Sequence, residues 1–251
     1  MTVTGNLRQL AAAQKTSRGV PAYTLYVNRP AGRFVAAVAH ELRLTPNQLT
    51  GASGALTVAG LAVLVLVPTA VWSSVLAALL LAVGYVFDSA DGQLARLRGS
   101  GGPVGEWLDH LLDAGKSVAV HSAILVAGYR FLDVDPAVLL LPLTFQVVAV
   151  MTFSSGLLTD LLRRVKGAPK PVVTGGGGLR SLAKLPVDSG VLCLFVAFFG
   201  AGAVFWIGYA VLLVAASGYL AVHLIASWRA LSGLGPAPAA VRATEPEGAV
   251  S

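Results

Sequence analysis

The sequence predicts an all-α, polytopic membrane protein with six transmembrane helices, preceded by an amphipathic helix at the membrane interface. Two observations predict this fold class. Of the 251 residues, 55% are hydrophobic and only 12% are charged, which is about half the charged fraction of a soluble domain. The chain also carries no charged residue from Gly51 to Phe87, and this run is long enough for two membrane-spanning helices of ~20 residues each.

Residues 1–44 are predicted to form a cytoplasmic arm that ends in the interfacial helix. The stretch 31–44 has helical periodicity, with Phe34 and Leu42 among the apolar side chains on one side and basic side chains on the other. A helix of this kind lies in the plane of the membrane surface. Pro46 ends it, because the residue before a proline is disfavoured in the helical region, and Asn47 is expected to cap the next helix.

Six spans are predicted within a membrane domain at residues 45–228. They cover residues 48–67, 71–91, 105–130, 137–162, 186–203 and 205–228. Pro68 and Thr69 mark the hairpin between the first two spans, and a Pro- and Gly-rich loop at 168–184 separates the fourth span from the fifth. Residues 229–251 are polar and contain proline, so we expect a disordered cytoplasmic tail.

The basic residues predict the orientation of the chain. With six spans, the arm, the loop after the second span, the loop after the fourth span and the tail share one side of the membrane. These segments hold nearly all the arginines and lysines, whereas the opposite side holds only Arg130. The positive-inside rule therefore places both termini in the cytoplasm of a protein of the plasma (inner) membrane. The basic residues are spread over several loops, so the net charge of +6 does not indicate nucleic-acid binding.

Four aspartates stand near the ends of the second and third predicted spans. Asp88 and Asp91 are three residues apart, and Asp109 and Asp113 are four apart, so each pair lies on one face of its helix. The two helices thus direct four carboxylates at one place, where their repulsion requires a cation. Carboxylate ligands favour Mg²⁺ or Mn²⁺ over zinc. Two such ions, ~4 Å apart, could hold both sides of a phosphoryl displacement.

The residues between the two aspartate pairs suit a phosphate-bearing substrate. Gly92 leaves room for a ligand to approach the backbone closely, and Arg96 offers a planar group that is always charged. Gly105 keeps the start of the following helix clear. Helix capping or a solvated loop would explain two of the aspartates but not four of them on matched faces. The stretch 88–113, here called the acidic motif, is therefore the predicted active site.

The acidic motif resembles the signature of the CDP-alcohol phosphotransferase (CDP-alcohol phosphatidyltransferase) family. Its pattern is Asp88-x-x-Asp91-Gly92-x-x-Ala95-Arg96, then eight residues, then Gly105-x-x-x-Asp109-x-x-x-Asp113. The resemblance implies an enzyme that transfers a phospho-alcohol group from a CDP-alcohol to a hydroxyl acceptor and releases CMP. It also implies a divalent-metal requirement and, commonly, a homodimer.

The resemblance assigns roles to individual residues. The implied metal ligands are Asp88, Asp91, Asp109 and Asp113. The implied nucleotide site consists of Asp88, Gly92, Ala95, Arg96 and Gly105. Asp113 is also expected to accept the proton of the acceptor hydroxyl, and a carboxylate base suits this task because an alcohol is a poor nucleophile. Residues 45–50 resemble a segment near the nucleotide in this family, which makes Asn47 and Thr50 either nucleotide neighbours or helix-capping residues.

Acceptor recognition is expected on the same cytoplasmic face. The candidates for an anionic acceptor are Arg163, Arg164, Arg180 and Lys184. Positive-inside bias and contact with lipid headgroups explain these cations equally simply. Asp188 could meet a polyol hydroxyl, and Lys116, which lies one turn after Asp113, is expected to balance charge near the site.

Three functions are compatible with these features. The leading one is phosphatidyl transfer from CDP-diacylglycerol in phospholipid biosynthesis, because the acidic motif lies at membrane depth. A second uses the same chemistry on a water-soluble polyol or inositol phosphate. The third, from another class, is a transporter with an acidic cation site. Against the transporter, the carboxylates stand at helix ends, whereas transporter sites lie near the bilayer midplane.

Overall fold

The computed structural model describes residues 3–12, 20–100, 102–168 and 181–234, and within these ranges it contains helices and no strand. In chain order the helices are α1 (Val3–Ala12), a π-helical turn (Thr24–Asn28), α2 (Arg29–Glu41), α3 (Pro46–Leu66), α4 (Val71–Arg98), α5 (Pro103–Phe131), α6 (Leu140–Val165), α7 (Ser189–Phe195) and α8 (Ala203–Ser232). Short 3₁₀ turns cover Pro136–Leu139, Leu185–Val187 and Val196–Ala201. The predicted disordered tail lies largely outside the described residues.

Five helices of the described part are long and apolar enough to cross a membrane, namely α3, α4, α5, α6 with the 3₁₀ turn before it, and α8. The predicted all-α, polytopic membrane fold is thereby confirmed. The fifth predicted span, 186–203, differs from the others. It consists of α7 and the 3₁₀ turn that follows, which have 7 and 6 residues, fewer than the ~20 that a straight crossing requires. The turn ends at Gly202, whose φ of +59° lets the chain redirect into α8.

Helix α4 extends further than predicted. The second span was expected to end at residue 91 and a loop to follow, but α4 runs on to Arg98. The reason is that residues 93–98, QLARLR, are strong helix formers. Gly99 ends the helix at φ +62°, with Ser100 N donating to Ala95 O over 3.0 Å, as in a Schellman cap. Most of the predicted loop is therefore helix, and Asp91, Gly92 and Arg96 share one rigid element.

The start of α3 corrects a second expectation. Thr45, not Asn47, is the capping residue, because Thr45 has the extended backbone that a cap requires and Pro46 occupies the first helical position. Gln48 N donates to Thr45 Oγ1 over 3.2 Å, and Thr45 N donates to Gln48 Oε1 over 2.8 Å. This reciprocal pair is a capping box, and it fixes the residue at which α3 begins.

The arm packs directly on the motif-bearing half of α4. The buried face of α2 is made of small residues, with Gly32, Ala36 and Ala39 among them. A Cβ added at Gly32 would lie 2.9 Å from Ser89 Cβ, so the two helices approach closely there. Phe34 on the opposite face of α2 and Leu42, which directly follows α2, are exposed, which agrees with the predicted amphipathic pattern. Contact of this face with the membrane surface stays a prediction.

A second contact connects the arm to the start of α7, far away along the chain. The Asp188 side chain is buried, and it accepts hydrogen bonds from Thr24 N over 2.9 Å and from Thr24 Oγ1 over 3.0 Å. Asp188 also accepts from Gly190 N over 3.0 Å at the start of α7. The Tyr23 ring packs against Gly190 so closely that a Cβ at this position would overlap it. Tyr23 and Thr24 with Asp188 and Gly190 are called the arm clasp below.

Adding a methyl group at the arm clasp is expected to destabilise the protein. Gly190→Ala should lower the free energy of unfolding by about 1–3 kcal/mol, because the Tyr23 ring must move to admit the new Cβ. Thermal unfolding in detergent measures this. Gly115→Ala is the matched control, since an added Cβ there meets no atom within 4 Å among the described residues. Equal unfolding temperatures for Gly190→Ala and the wild type would contradict the packing described here.

Candidate active site

Three aspartates of the acidic motif converge. Asp88 and Asp91 on α4 and Asp109 on α5 each offer one carboxylate oxygen, and these three atoms lie within 4.8 Å of one another. An all-oxygen donor set of this kind fits a hard divalent cation such as Mg²⁺ or Mn²⁺ and does not favour zinc. Asp113 stands one helical turn beyond Asp109 and is partly exposed.

Asp91 is held rigidly by its neighbours. It is only 5% exposed, its Oδ2 accepts a hydrogen bond of 2.6 Å from Thr50 Oγ1, and its Oδ1 accepts one from Gly92 N. Thr50 belongs to α3 and is itself buried. The structure thus places Thr50 on a metal-ligand candidate, where it can orient the carboxylate as partners of ligating residues do. Sequence reasoning had left Thr50 between nucleotide contact and helix capping.

Lys116 sits between the other carboxylates. Its Nζ donates a hydrogen bond to Asp88 Oδ1, lies 3.2 Å from Ser53 Oγ and stands 3.7 Å from Asp113 Oδ1. One cation therefore bridges an aspartate of α4 and an aspartate of α5. This arrangement matches the charge-balancing position expected for Lys116. Ser53, on α3, was not singled out from the sequence.

The glycine positions of the acidic motif leave open space. A Cβ added at Gly92 would meet only the Arg96 side chain, at 3.5 Å, and one added at Gly105 would meet no atom within 4 Å among the described residues. Arg96 is exposed and Ala95 is partly buried on the same stretch of α4. The packing of the described residues therefore does not require glycine at either position. The predicted role of both glycines, to leave room for a ligand, stays a prediction.

A methyl group at Gly92 is expected to separate stability from ligand binding. Gly92→Ala should leave the unfolding temperature unchanged or raise it, because alanine favours a helix by about 0.5–1 kcal/mol over glycine. It should weaken binding of CDP, by at least about 10-fold, because the Cβ occupies space beside Asp91 that the substrate needs. Calorimetric titration with CDP measures the affinity, with Gly115→Ala as the control. Wild-type affinity in Gly92→Ala would remove the reason for a glycine there.

An interior cavity of about 340 Å³ adjoins the acidic motif. Its charged lining residues are Asp88, Asp113, Lys116 and Asp188. Its deeper wall is mostly apolar, and there the buried His121 contacts Tyr209 OH through Nδ1 over 2.5 Å. Within the described residues the lining carries more negative than positive charge. The cavity thus brings Asp113 next to a space of substrate size.

Of the four cations predicted to bind the acceptor, none of the three that the structure describes lines this cavity. Arg164 Nη1 pairs with Glu106 and its Nη2 with Asp160, both at 2.5 Å. The Lys184 Nζ lies 5.7 Å from the centre of the Tyr219 ring. Arg163 is on α6 outside the cavity lining, and Arg180 lies outside the described residues. The acceptor role of these residues stays a prediction.

Sequence reasoning missed Tyr85 and Arg29 near the site. Tyr85 lines the cavity, and its hydroxyl lies 2.9 Å from Thr24 Oγ1. Asp188, which was considered for a polyol hydroxyl, also lines the cavity, but Thr24 and Gly190 already donate to it. Arg29 begins α2 beside α4. Arg29 reaches the site only through packing of the arm, which no local pattern announces. Tyr85 lies on α4 one helical turn before Asp88, and helical periodicity could have indicated it.

Comparison with known proteins decides the family. The family model for CDP-alcohol phosphatidyltransferase matches residues 43–229, which contain α3 to α7 and nearly all of α8. The chain belongs to the CDP-alcohol phosphatidyltransferase family. The resemblance seen in the acidic motif is thereby confirmed, and the match extends over all five long apolar helices.

A relative from Corynebacterium glutamicum is named phosphatidylinositol phosphate synthase. It is 41% identical to this phosphatidyltransferase-family chain over 105 residues, which make up 40% of the chain. The match spans 45% of the relative, less than half of its length.

Proposed function

We propose that the protein transfers a phosphatidyl group from CDP-diacylglycerol to a hydroxyl acceptor and releases CMP, as a step of phospholipid biosynthesis. The observation that carries this proposal is the convergence of Asp88, Asp91 and Asp109, with Asp113 one turn away. Family membership supports the CDP-alcohol chemistry. CDP-diacylglycerol suits a site built at the ends of two apolar helices, α4 and α5.

The metal requirement follows from the donor set. Asp88, Asp91 and Asp109 would hold a divalent cation, Mg²⁺ or Mn²⁺, and Asp113 would contribute to a second one. When bound, such cations neutralise the diphosphate of the donor and stabilise the charge that develops on the leaving group. Thr50 would keep the Asp91 carboxylate in its ligating orientation.

The chain's own residues would perform the remaining tasks. Asp113 accepts the proton of the acceptor hydroxyl as this oxygen bonds to the phosphorus of the donor. The bond from that phosphorus to the bridging oxygen breaks, and CMP leaves with that oxygen. Arg96 holds a phosphate of the donor through charge-assisted hydrogen bonds. Lys116 limits the repulsion between Asp88 and Asp113 before the substrates arrive.

The cavity beside Asp113 supports an acceptor whose reacting part is uncharged. Three aspartates and one lysine line the described part of the cavity, and the lysine contacts Asp88, so a phosphate group inside would meet net repulsion. A phosphorylated polyol is the second candidate, which the name of the Corynebacterium relative favours. Its phosphate would then have to stay outside the cavity, on the side of Lys184.

One assay tests the function and the acceptor class together. Purified protein in detergent with CDP-diacylglycerol and Mg²⁺ is offered glycerol, inositol, glycerol phosphate or inositol phosphate, and CMP release is measured. We expect release that depends on both metal and acceptor, and faster release with an uncharged acceptor. No CMP from CDP-diacylglycerol with any of these acceptors would contradict the function. Release with phosphorylated acceptors alone would contradict the assignment of the cavity.

Several broader expectations belong to this proposal. Both termini and the acidic motif face the cytoplasm of the plasma membrane, where the positive-inside rule puts them. This orientation requires α7 and the 3₁₀ turn after it to complete a sixth crossing beside the five long helices. Residues 45–228 form the catalytic domain, with 1–44 as arm and 229–251 as tail. The active unit is a homodimer. Labelling of single cysteines introduced at each terminus, in intact cells and in opened vesicles, tests the orientation directly.

A further inference from the structure

Arg29 occupies a position beside the donor site that the acidic motif does not include. It is the first residue of α2, and its backbone carbonyl accepts a hydrogen bond of 3.1 Å from Gln93 Nε2. Gln93 is buried on α4 between Asp91 and Arg96. The residue before Arg29 is also fixed, because Asn28 Nδ2 donates to Tyr85 O over 3.1 Å. The arm thus holds Arg29 at the level of the acidic motif.

Arg29 and Arg96 stand on neighbouring helices at the same level. The Arg29 carbonyl is bonded to Gln93, and Gln93 precedes Arg96 by one helical turn on α4. Arg29 is partly buried and Arg96 is exposed, so the pair spans the boundary between the arm and the open face of α4. Close packing of Gly32 against Ser89 keeps α2 and α4 near each other. An anion that lies between two neighbouring arginines stabilises the charges of both.

We infer that Arg29 binds the diphosphate of the donor together with Arg96, as a positioning residue supplied by the arm. The ligand class is a nucleoside diphosphate ester, which brings its negative charge to the place where the two guanidinium groups and the metal-ligand aspartates meet. Arginine suits this position because its planar group donates paired hydrogen bonds to phosphate oxygens. The inference rests on the proposed function, since it takes a CDP-alcohol as the donor.

Binding of nucleotides tests Arg29 without relying on turnover. Calorimetric titration of the purified protein with CDP and with cytidine, in Mg²⁺, gives both affinities. Arg29→Gln should weaken CDP binding by about 10-fold, the loss expected for one charge-assisted hydrogen bond. Cytidine affinity should stay unchanged, because cytidine carries no phosphate. Arg29→Lys should recover part of the CDP affinity by keeping the charge but not the planar geometry.

The substitution leaves the fold contact in place, because the backbone carbonyl of residue 29 makes the bond to Gln93. Arg43→Gln is the matched control, since it removes the same charge from an exposed position just after α2. Equal CDP affinity in Arg29→Gln and the wild type would overturn the inference alone. An equal loss for CDP and cytidine would also overturn it, since it would indicate a structural effect. A wild-type protein that binds no CDP would contradict the proposed function as well.

Discussion

Asp113→Asn is expected to reduce CMP release by at least about 10²–10⁴-fold, the contribution of a positioned general base. Asparagine has the same shape but cannot accept the proton of the acceptor hydroxyl at this point of the cavity. The fold should be retained, because removing one carboxylate from a cluster with Asp88 and Asp109 relieves repulsion, and Lys116 keeps its contact with Asp88. Initial rates with saturating CDP-diacylglycerol measure the effect.

Two measurements make this result specific. Asp133→Asn changes an exposed aspartate in the turn after α5 and should leave the rate within about twofold of the wild type, because surface substitutions rarely matter. CDP binding by Asp113→Asn should remain measurable, since Asp88, Asp91 and Asp109 still supply three ligands. Unimpaired CMP release from Asp113→Asn would exclude Asp113 as the base.

Asp91→Asn is expected to abolish the metal response of the protein. Mg²⁺ or Mn²⁺ should raise the unfolding temperature of the wild type, because a ligand that binds only the folded state stabilises it. Asp91→Asn should lose this rise and CMP release together, since a neutral amide replaces the most buried of the three converging carboxylates. Thermal unfolding over a metal titration measures it, and excess chelator should bring the wild type to the same state.

Thr50→Val provides a graded comparison for Asp91→Asn. It removes the 2.6 Å hydrogen bond to Asp91 Oδ2, together with a 3.1 Å contact with Pro46 O inside α3, and it keeps all three carboxylates. Metal affinity should fall by about 10–100-fold, as for other residues that orient a ligand, so higher metal concentrations should restore the temperature rise. If Asp91→Asn responded to metal as the wild type does, the cluster would not be the metal site.

Local sequence patterns predicted most of the fold and the core of the site. The uncharged run from Gly51 to Phe87 and the other apolar runs gave the spans, since an apolar helix is the one local solution for such a segment in lipid. The spacing within the acidic motif predicted that four aspartates would meet, because helical periodicity fixes which residues share a face. The structure groups Asp88, Asp91 and Asp109, with Asp113 one helical turn away. Capping residues were less certain, since Thr45 and Asn47 both suit an N-cap.

The remaining features depend on packing between distant segments. The fifth predicted span consists of the short α7 and a 3₁₀ turn, and both pack against α4. Arg164 pairs with the carboxylates of Glu106 and Asp160. Asp160 lies one helical turn away on the same helix, whereas Glu106 comes from α5. Arg29 accepts a hydrogen bond from Gln93 of α4, which is 64 positions away along the chain. No periodicity or local motif encodes such contacts.

The arm clasp has a consequence for the order in which the molecule is completed. Thr24 and Asp188 are 164 positions apart, so the nascent arm waits unanchored at this contact while α3 to α6 are synthesised and inserted. This contact cannot form before Asp188 has been synthesised, whatever the state of the helices between the two residues. The cavity wall that Asp188 contributes is therefore completed only when α7 emerges from the ribosome. A chain interrupted before Asp188 keeps the aspartates of the acidic motif but lacks the anchor for the arm.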